Sequence, residues 1–175
     1  HVGRFLNVKN QSFLIDVFAE FVKNKENSKL LLVGEGPMEE EIKQLKGNKG
    51  EWSEIYTLLK LLGEGKVYAG DQNLNKIQDL FYPIIMILRQ EKDGNFNYKL
   101  HDKDVVIQTP EGEELLRIPA SVFLIEAENL LEAINKNDGA FAVPQIEAFL
   151  DNIYCYSLKA KSSDKTDIRI ILHDR

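Results

Sequence analysis

Residues 159–174, Lys-Ala-Lys-Ser-Ser-Asp-Lys-Thr-Asp-Ile-Arg-Ile-Ile-Leu-His-Asp, crowd small, basic and acidic side chains against the start of an apolar run. From Thr166 to His173 the pattern has period two, with Ile168, Ile170 and Leu172 on one face and Asp167, Arg169, Ile171 and His173 on the other. That periodicity predicts a buried strand with Asp167 at its mouth. A carboxylate fixed there suits a hard cation such as Mg2+, which prefers oxygen ligands and takes one or two from a protein. Lys159, Lys161 and Lys165 are then candidates to neutralise phosphates. The plainer alternative is a solvated Asp at a strand entry beside a solvated basic loop. Glu51 and Glu54 form a second acidic pair. They lie three apart at the start of a helix expected over 51–62, so they share a face. Their alternative reading is an acidic edge favoured by the helix macrodipole.

The elements that must position these groups carry a resemblance. Asn48-Lys-Gly-Glu-Trp-Ser-Glu-Ile-Tyr-Thr-Leu-Leu-Lys-Leu-Leu62, followed at this distance by Lys-Ala-Lys-Ser-Ser-Asp-Lys-Thr-Asp-Ile, resembles the N-terminal part of the HpaII-type family of restriction endonucleases. The similarity runs over about residues 47–175. It implies a PD-(D/E)XK nuclease domain that hydrolyses phosphodiesters of double-stranded DNA at a short specific site, with Mg2+ as cofactor. Asp167 then corresponds to the first metal-binding carboxylate, and Glu51 or Glu54 to the helix-borne acid, with Asp167 and Glu54 as the metal ligands. Lys159, Lys161 and Lys165 become backbone phosphate contacts, which position a protein without reading sequence. Palindrome-cutting enzymes act as symmetric dimers, so the resemblance also implies a homodimer. The family's Glu-x-Lys pair on the next strand is not met before Arg175, so a truncated domain is expected, inactive as this fragment.

Residues 1–46 read differently. Phe13, Leu14, Val17, Phe18, Phe21 and Val22 recur at helical spacing behind Ser12 as an N-cap, and residues 29–33 form a short apolar strand before Gly34-Glu35-Gly36-Pro37. A second helix starts at Pro37, with Glu39, Glu40 and Glu41 near its N-terminus. Val2-Gly3-Arg4-Phe5 with Lys9-Asn10, this helix, and Leu31-Leu32-Val33-Gly34-Glu35-Gly36-Pro37 resemble the start of the C-terminal domain of GT-B glycosyltransferases. The resemblance implies sugar-nucleotide binding through Arg4 and Lys9, two cations offsetting a diphosphate. It stops near Lys46, and a gene fusion, an engineered join or an assembly error would each produce such a junction. The expected fold class is therefore mixed α/β and α+β: a short Rossmann-like β/α segment, 1–46, followed by an incomplete PD-(D/E)XK-type domain, 47–175, with an antiparallel meander.

That meander is expected from strands at 84–91, 96–100, 105–109 and 113–118, separated by turns at Asp93-Gly94, 101–104 and Pro110-Glu111-Gly112, with a separate short strand at 66–69 ahead of the 71–75 loop. Two helices follow, one capped by Ser121 and running to about Lys136, the other opening on Pro144 and turning Ile146, Phe149, Leu150 and Ile153 inward. Asp71-Gln-Asn-Leu-Asn75 opens like a calcium loop, but Lys76 and Tyr82 stand where Gly and Glu are required. Gly34-Glu-Gly36 likewise fails as a dinucleotide fingerprint, since Glu39 takes the third glycine's place. The net charge of −6 argues against a basic nucleic-acid-binding surface over the whole chain. Only a contacting groove needs positive potential, however, and from Lys159 onward five basic residues face three acids. Cys155 is the only cysteine, so no internal disulfide forms and a reducing cytoplasm is expected. No apolar run is long enough to span a membrane, and the start at His1 without a signal-peptide pattern suggests a piece of a longer product.

Overall fold

A computed structural model describes residues 2–6, 9–22, 28–37, 45–91, 94–158 and 168–173. The chain divides into two compact units, His1–Gln44 and Leu45–Arg175.

In the first unit Val2 and Val33 form a parallel bridge, with Gly3 N–H donating to the Val33 carbonyl at 2.9 Å and Phe5 N–H to that of Glu35 at 3.0 Å. The two segments run so close that a β-carbon on Gly34 would lie 2.0 Å from the Gly3 oxygen, and one on Gly36 2.3 Å from that of Phe5. Glycine is required at both places by space. Helix α1 (Gln11–Val22) starts ahead of the expected Ser12 cap. Asn10 caps it instead, its side-chain oxygen accepting the Phe13 N–H at 3.4 Å. The stripe expected to be buried leaves Phe13, Val17 and Phe21 exposed. Among the described residues the strand expected at 29–33 shrinks to the bridge at Val33. The helix expected after Pro37 falls mostly outside the described residues.

The second unit opens with strand β1 (Gly47–Asn48) and helix α2 (Lys49–Glu64). Five strands follow, β2 (Lys66–Gly70), β3 (Lys76–Glu91), β4 (Gly94–His101), β5 (Asp104–Gln108) and β6 (Glu114–Pro119). Helix α3 (Ala120–Lys136), strand β7 (Ala140–Phe141), helix α4 (Pro144–Asn152) and strand β8 (Arg169–Leu172) complete the unit. Strands β2 to β6 pair in sequence order as an antiparallel meander; turn spacing predicts its β3 to β6 part, and β2 joins through β3. Strand β8 pairs antiparallel with Ile84, Met86, Ile87 and Leu88 of β3. Because β4 pairs with the same residues 86–88, β8 and β4 lie on opposite edges of β3.

The core forms where the helices lie on this sheet. Trp52, Ile55, Leu58, Leu59 and Leu62 of α2 recur at three- and four-residue intervals and pack with Phe123, Ala127 and Leu130 of α3, Ile87 and Tyr98 of the sheet, and Ile146 and Leu150 of α4. The Trp52 indole N–H donates to the Phe141 carbonyl at 3.0 Å, fastening α2 to β7.

Several boundaries differ from those expected. Helix α2 continues past Gly63 to Glu64; a β-carbon at 63 would meet Leu124 at 2.6 Å, so this glycine lets α3 approach closely. The helix ends at Gly65, left-handed at φ 67°, whose N–H reaches the Leu61 carbonyl. Helix α3 starts at Ala120 behind Pro119, which leaves Ser121 inside the first turn. Strand β3 begins eight residues earlier than expected, at Lys76. Strand β8 is exposed, in contrast to the buried strand expected: among the described residues it pairs with β3 alone, and Ile170, Ile171 and Leu172 are about 40% accessible.

Candidate functional site

The two candidate acids of α2 occupy different surroundings. Glu51 closes a capping box: the Asn48 side chain accepts the Glu51 N–H at 3.0 Å, and Glu51 Oε2 accepts the Asn48 N–H at 2.9 Å. One of its oxygens is therefore committed to the helix start. Glu54, nearly one turn further on, is half-buried, with Oε2 buried. Gly47 links this helix end to the far part of the chain. A β-carbon there would meet Leu158 at 2.3 Å and the Glu51 side chain at 3.3 Å, so the helix N-terminus and Leu158 pack on one glycine. Leu158 is the last described residue before Lys159.

The course of the chain into Leu158 is fixed by groups that the sequence reading passed over. Residues 87, 89 and 91 share the inward phase of β3, so Arg89 and Glu91 point into the core, each 3% exposed. Arg89 Nε donates to Glu91 Oε1 at 2.6 Å, and its Nη2 donates to the Ser157 carbonyl. The Ser157 hydroxyl donates to Glu91 Oε2 at 2.7 Å, so both carboxylate oxygens are used. Opposite charges this deep persist only when paired and hydrogen-bonded in this way. The Tyr98 hydroxyl donates to the Ile153 carbonyl at 2.9 Å. Tyr154, left-handed at φ 60°, turns the chain out of α4 while the Cys155 N–H returns to Leu150 at 2.9 Å. Phe96, Tyr154 and Tyr156 cluster around that turn, Tyr156 meeting the other two rings edge to face. A charged pair on the inward phase of an otherwise apolar strand is the signal that could have revealed this anchor.

Cys155 is wholly buried beside it, and burial pushes its thiol up to about 12, the neighbouring Arg89 pulling the other way. Burial likewise raises the Tyr98 phenol well above its ordinary value.

On the far side of the 159–167 run, Ile168 packs against the core and Arg169 stands opposite Leu88 in β3. Asp167, Lys159, Lys161 and Lys165 themselves lie outside the described residues, so the structure brings both ends of their segment to one sheet without describing them. Arg4 and Lys9 are exposed in the first unit, the Arg4 carbonyl accepting from Gln11 Nε2 at 3.0 Å. In the loop that opens like a calcium site, Asp71 Oδ1 accepts the N–H groups of Asn73 and Asn75, each at 2.8 Å, and Oδ2 accepts Asn75 Nδ2 at 3.1 Å. Those bonds hold the Asp71 carboxyl below its usual range.

Among the described residues, no three His, Cys, Asp or Glu side chains are grouped to hold a metal. Among the described residues the candidate donors are the carboxylates of Glu51 and Glu54 on α2, and Asp167 lies outside them. No helix of the described residues is long and apolar enough to cross a membrane.

Comparison with known proteins gives two family matches that overlap over residues 48–61, so the first runs beyond the stop expected near Lys46. Residues 1–61 match the family described as glycosyl transferases group 1. No solved structure matches the chain. The type II restriction enzyme HpaII of Haemophilus parainfluenzae is 43% identical over 130 residues, 73% of this chain. Those residues span 36% of that enzyme's length. The HpaII restriction endonuclease family model matches residues 48–175, the region that holds the meander, the buried anchor and the acidic start of α2, and the chain belongs to that family.

Proposed function

We propose that residues 47–175 are the N-terminal portion of a type II restriction endonuclease domain of PD-(D/E)XK type, acting with Mg2+ on double-stranded DNA. The family match carries this reading. The packing of Leu158 and Glu51 on Gly47 supports the site, because it sets a helix acid beside the entrance to the Asp167 segment. Asp167 and Glu54 would hold the ion, with Glu51 the lesser candidate since the cap uses one of its oxygens. When bound, Mg2+ stabilises negative charge developing on the scissile phosphate. The protein's own part is to hold the carboxylates, while Lys159, Lys161 and Lys165 grip the backbone and fix its register. A homodimer would present two such sites to a palindrome.

Residues 1–175 alone should bind Mg2+ weakly and cut plasmid DNA poorly, because the sequence after Asp167 supplies no Glu-x-Lys pair to complete the site. A Mg2+ titration followed by amide resonances tests this. Shifts at Ile168 and at the start of α2 are expected, and Asp167→Asn should abolish them. Shifts that survive Asp167→Asn, or efficient cleavage by this chain, would sink the assignment.

The match to glycosyl transferases favours a second reading for residues 1–46, in which Arg4 and Lys9 bind a sugar-nucleotide diphosphate. Titration with uridine diphosphate glucose should then move the Arg4 and Lys9 resonances and leave residues 48–158 untouched.

A further inference from the structure

The β2–β3 hairpin extends beyond the sheet. Every residue from 70 to 79 is exposed, and Leu74 at the tip, left-handed at φ 64°, is 91% accessible. The base of the hairpin is tied down by Ile84 N–H to the Gly65 carbonyl and His173 N–H to that of Pro83. Its tip is nevertheless ordered from within: Asp71 N–H reaches the Asn75 carbonyl at 2.9 Å and the Asp71 carboxylate holds Asn73 and Asn75. This is a preformed two-stranded ribbon with no core of its own to serve.

One face of the ribbon is basic and aromatic. Tyr68 and Phe81 are cross-strand partners with ring centroids 6.0 Å apart. Lys76 Nζ sits 3.4 Å from the Tyr68 centroid, and Lys66 Nζ 5.0 Å from both rings. Stacking on the rings restrains two flexible cations on one side of the arm. Asp79 lies exposed on the same arm, whereas the Asp71 oxygens are turned to the loop's own amides. Gln72, Asn73 and Gln78 are exposed near the tip, and such amides pair with base edges. In a chain of net charge −6, this lysine pair held on aromatic rings stands out.

We infer that this arm is a DNA-contacting ribbon, Lys66 and Lys76 meeting backbone phosphates while the tip enters the major groove, which admits a two-stranded ribbon. The inference rests on the DNA-hydrolase reading and adds to it a contact surface separate from the Lys159, Lys161 and Lys165 run.

Anisotropy of a fluorescein-labelled DNA duplex of mixed sequence, titrated with the full chain across a salt series, tests it. The double variant Lys66→Gln/Lys76→Gln should flatten the slope of log K against log salt by about 1.8, roughly 0.9 for each lost phosphate contact. Lys66→Arg/Lys76→Arg should restore the slope, and Lys136→Gln, altering an exposed lysine of α3, should leave it unchanged. A slope identical in the glutamine variant and the unaltered chain overturns the arm alone. Failure of the unaltered chain to bind at any salt overturns the arm and the DNA-hydrolase reading together.

Discussion

Arg89 and Glu91 share a place where water cannot help either of them. Removing one partner strands the other, which in buried pairs costs about 3–5 kcal/mol. Arg89→Met should lower the urea unfolding midpoint by that equivalent, and a loss under about 1 kcal/mol would show the pair to be solvated in solution. Cys155 adds a pH dependence. Its thiol ionises near 9.0 in ordinary surroundings but holds its proton to about 12 in the fold. The unfolded chain therefore releases that proton first as pH climbs. The stabilisation is complete below pH 9 and drains away as pH rises towards 12. Urea midpoints should fall on crossing pH 9, and iodoacetamide should label this single cysteine only as fast as the protein unfolds.

Among the elements, α2 shows best how a residue offered for chemistry can also serve the fold. Asn48→Ala removes the reciprocal cap and should cost about 1 kcal/mol in thermal or urea melts. Glu51→Gln keeps an oxygen to accept the Asn48 N–H, so stability should hold. From residue 48 onward the existence and order of the helices and meander strands were legible, because Trp52, Ile55 and Leu59 repeat at helical spacing and Pro110-Glu111-Gly112 breaks two strands cleanly. Helix ends were less so. Gly63 reads as a terminator and turns out to be a packing site for Leu124, a distinction that depends on a helix sixty residues away. The Arg89–Glu91–Ser157 anchor was missed for a similar reason. A carboxylate's partners depend on which long-range segment reaches it, and local pattern does not contain that. Strand β8 was misjudged as buried since apolar alternation records what a face could bury, without saying whether anything covers it.

At the scale of the whole unit, the continuous core among the described residues runs from Leu45 to Ile168. Residues 45–175 expressed alone should therefore melt cooperatively by circular dichroism, and a broad, non-cooperative transition would count against that. The length of β3 gives this unit an uneven timetable. One unbroken strand runs from the exposed arm into the centre of the sheet, where β4 and β8 flank residues 86–88 on both sides. Its backbone amides consequently have two lifetimes in heavy water: those near Ile77 trade their hydrogens quickly, while those near Ile87 wait for the unit to open. A single element thus keeps one end sampling its surroundings and the other end still.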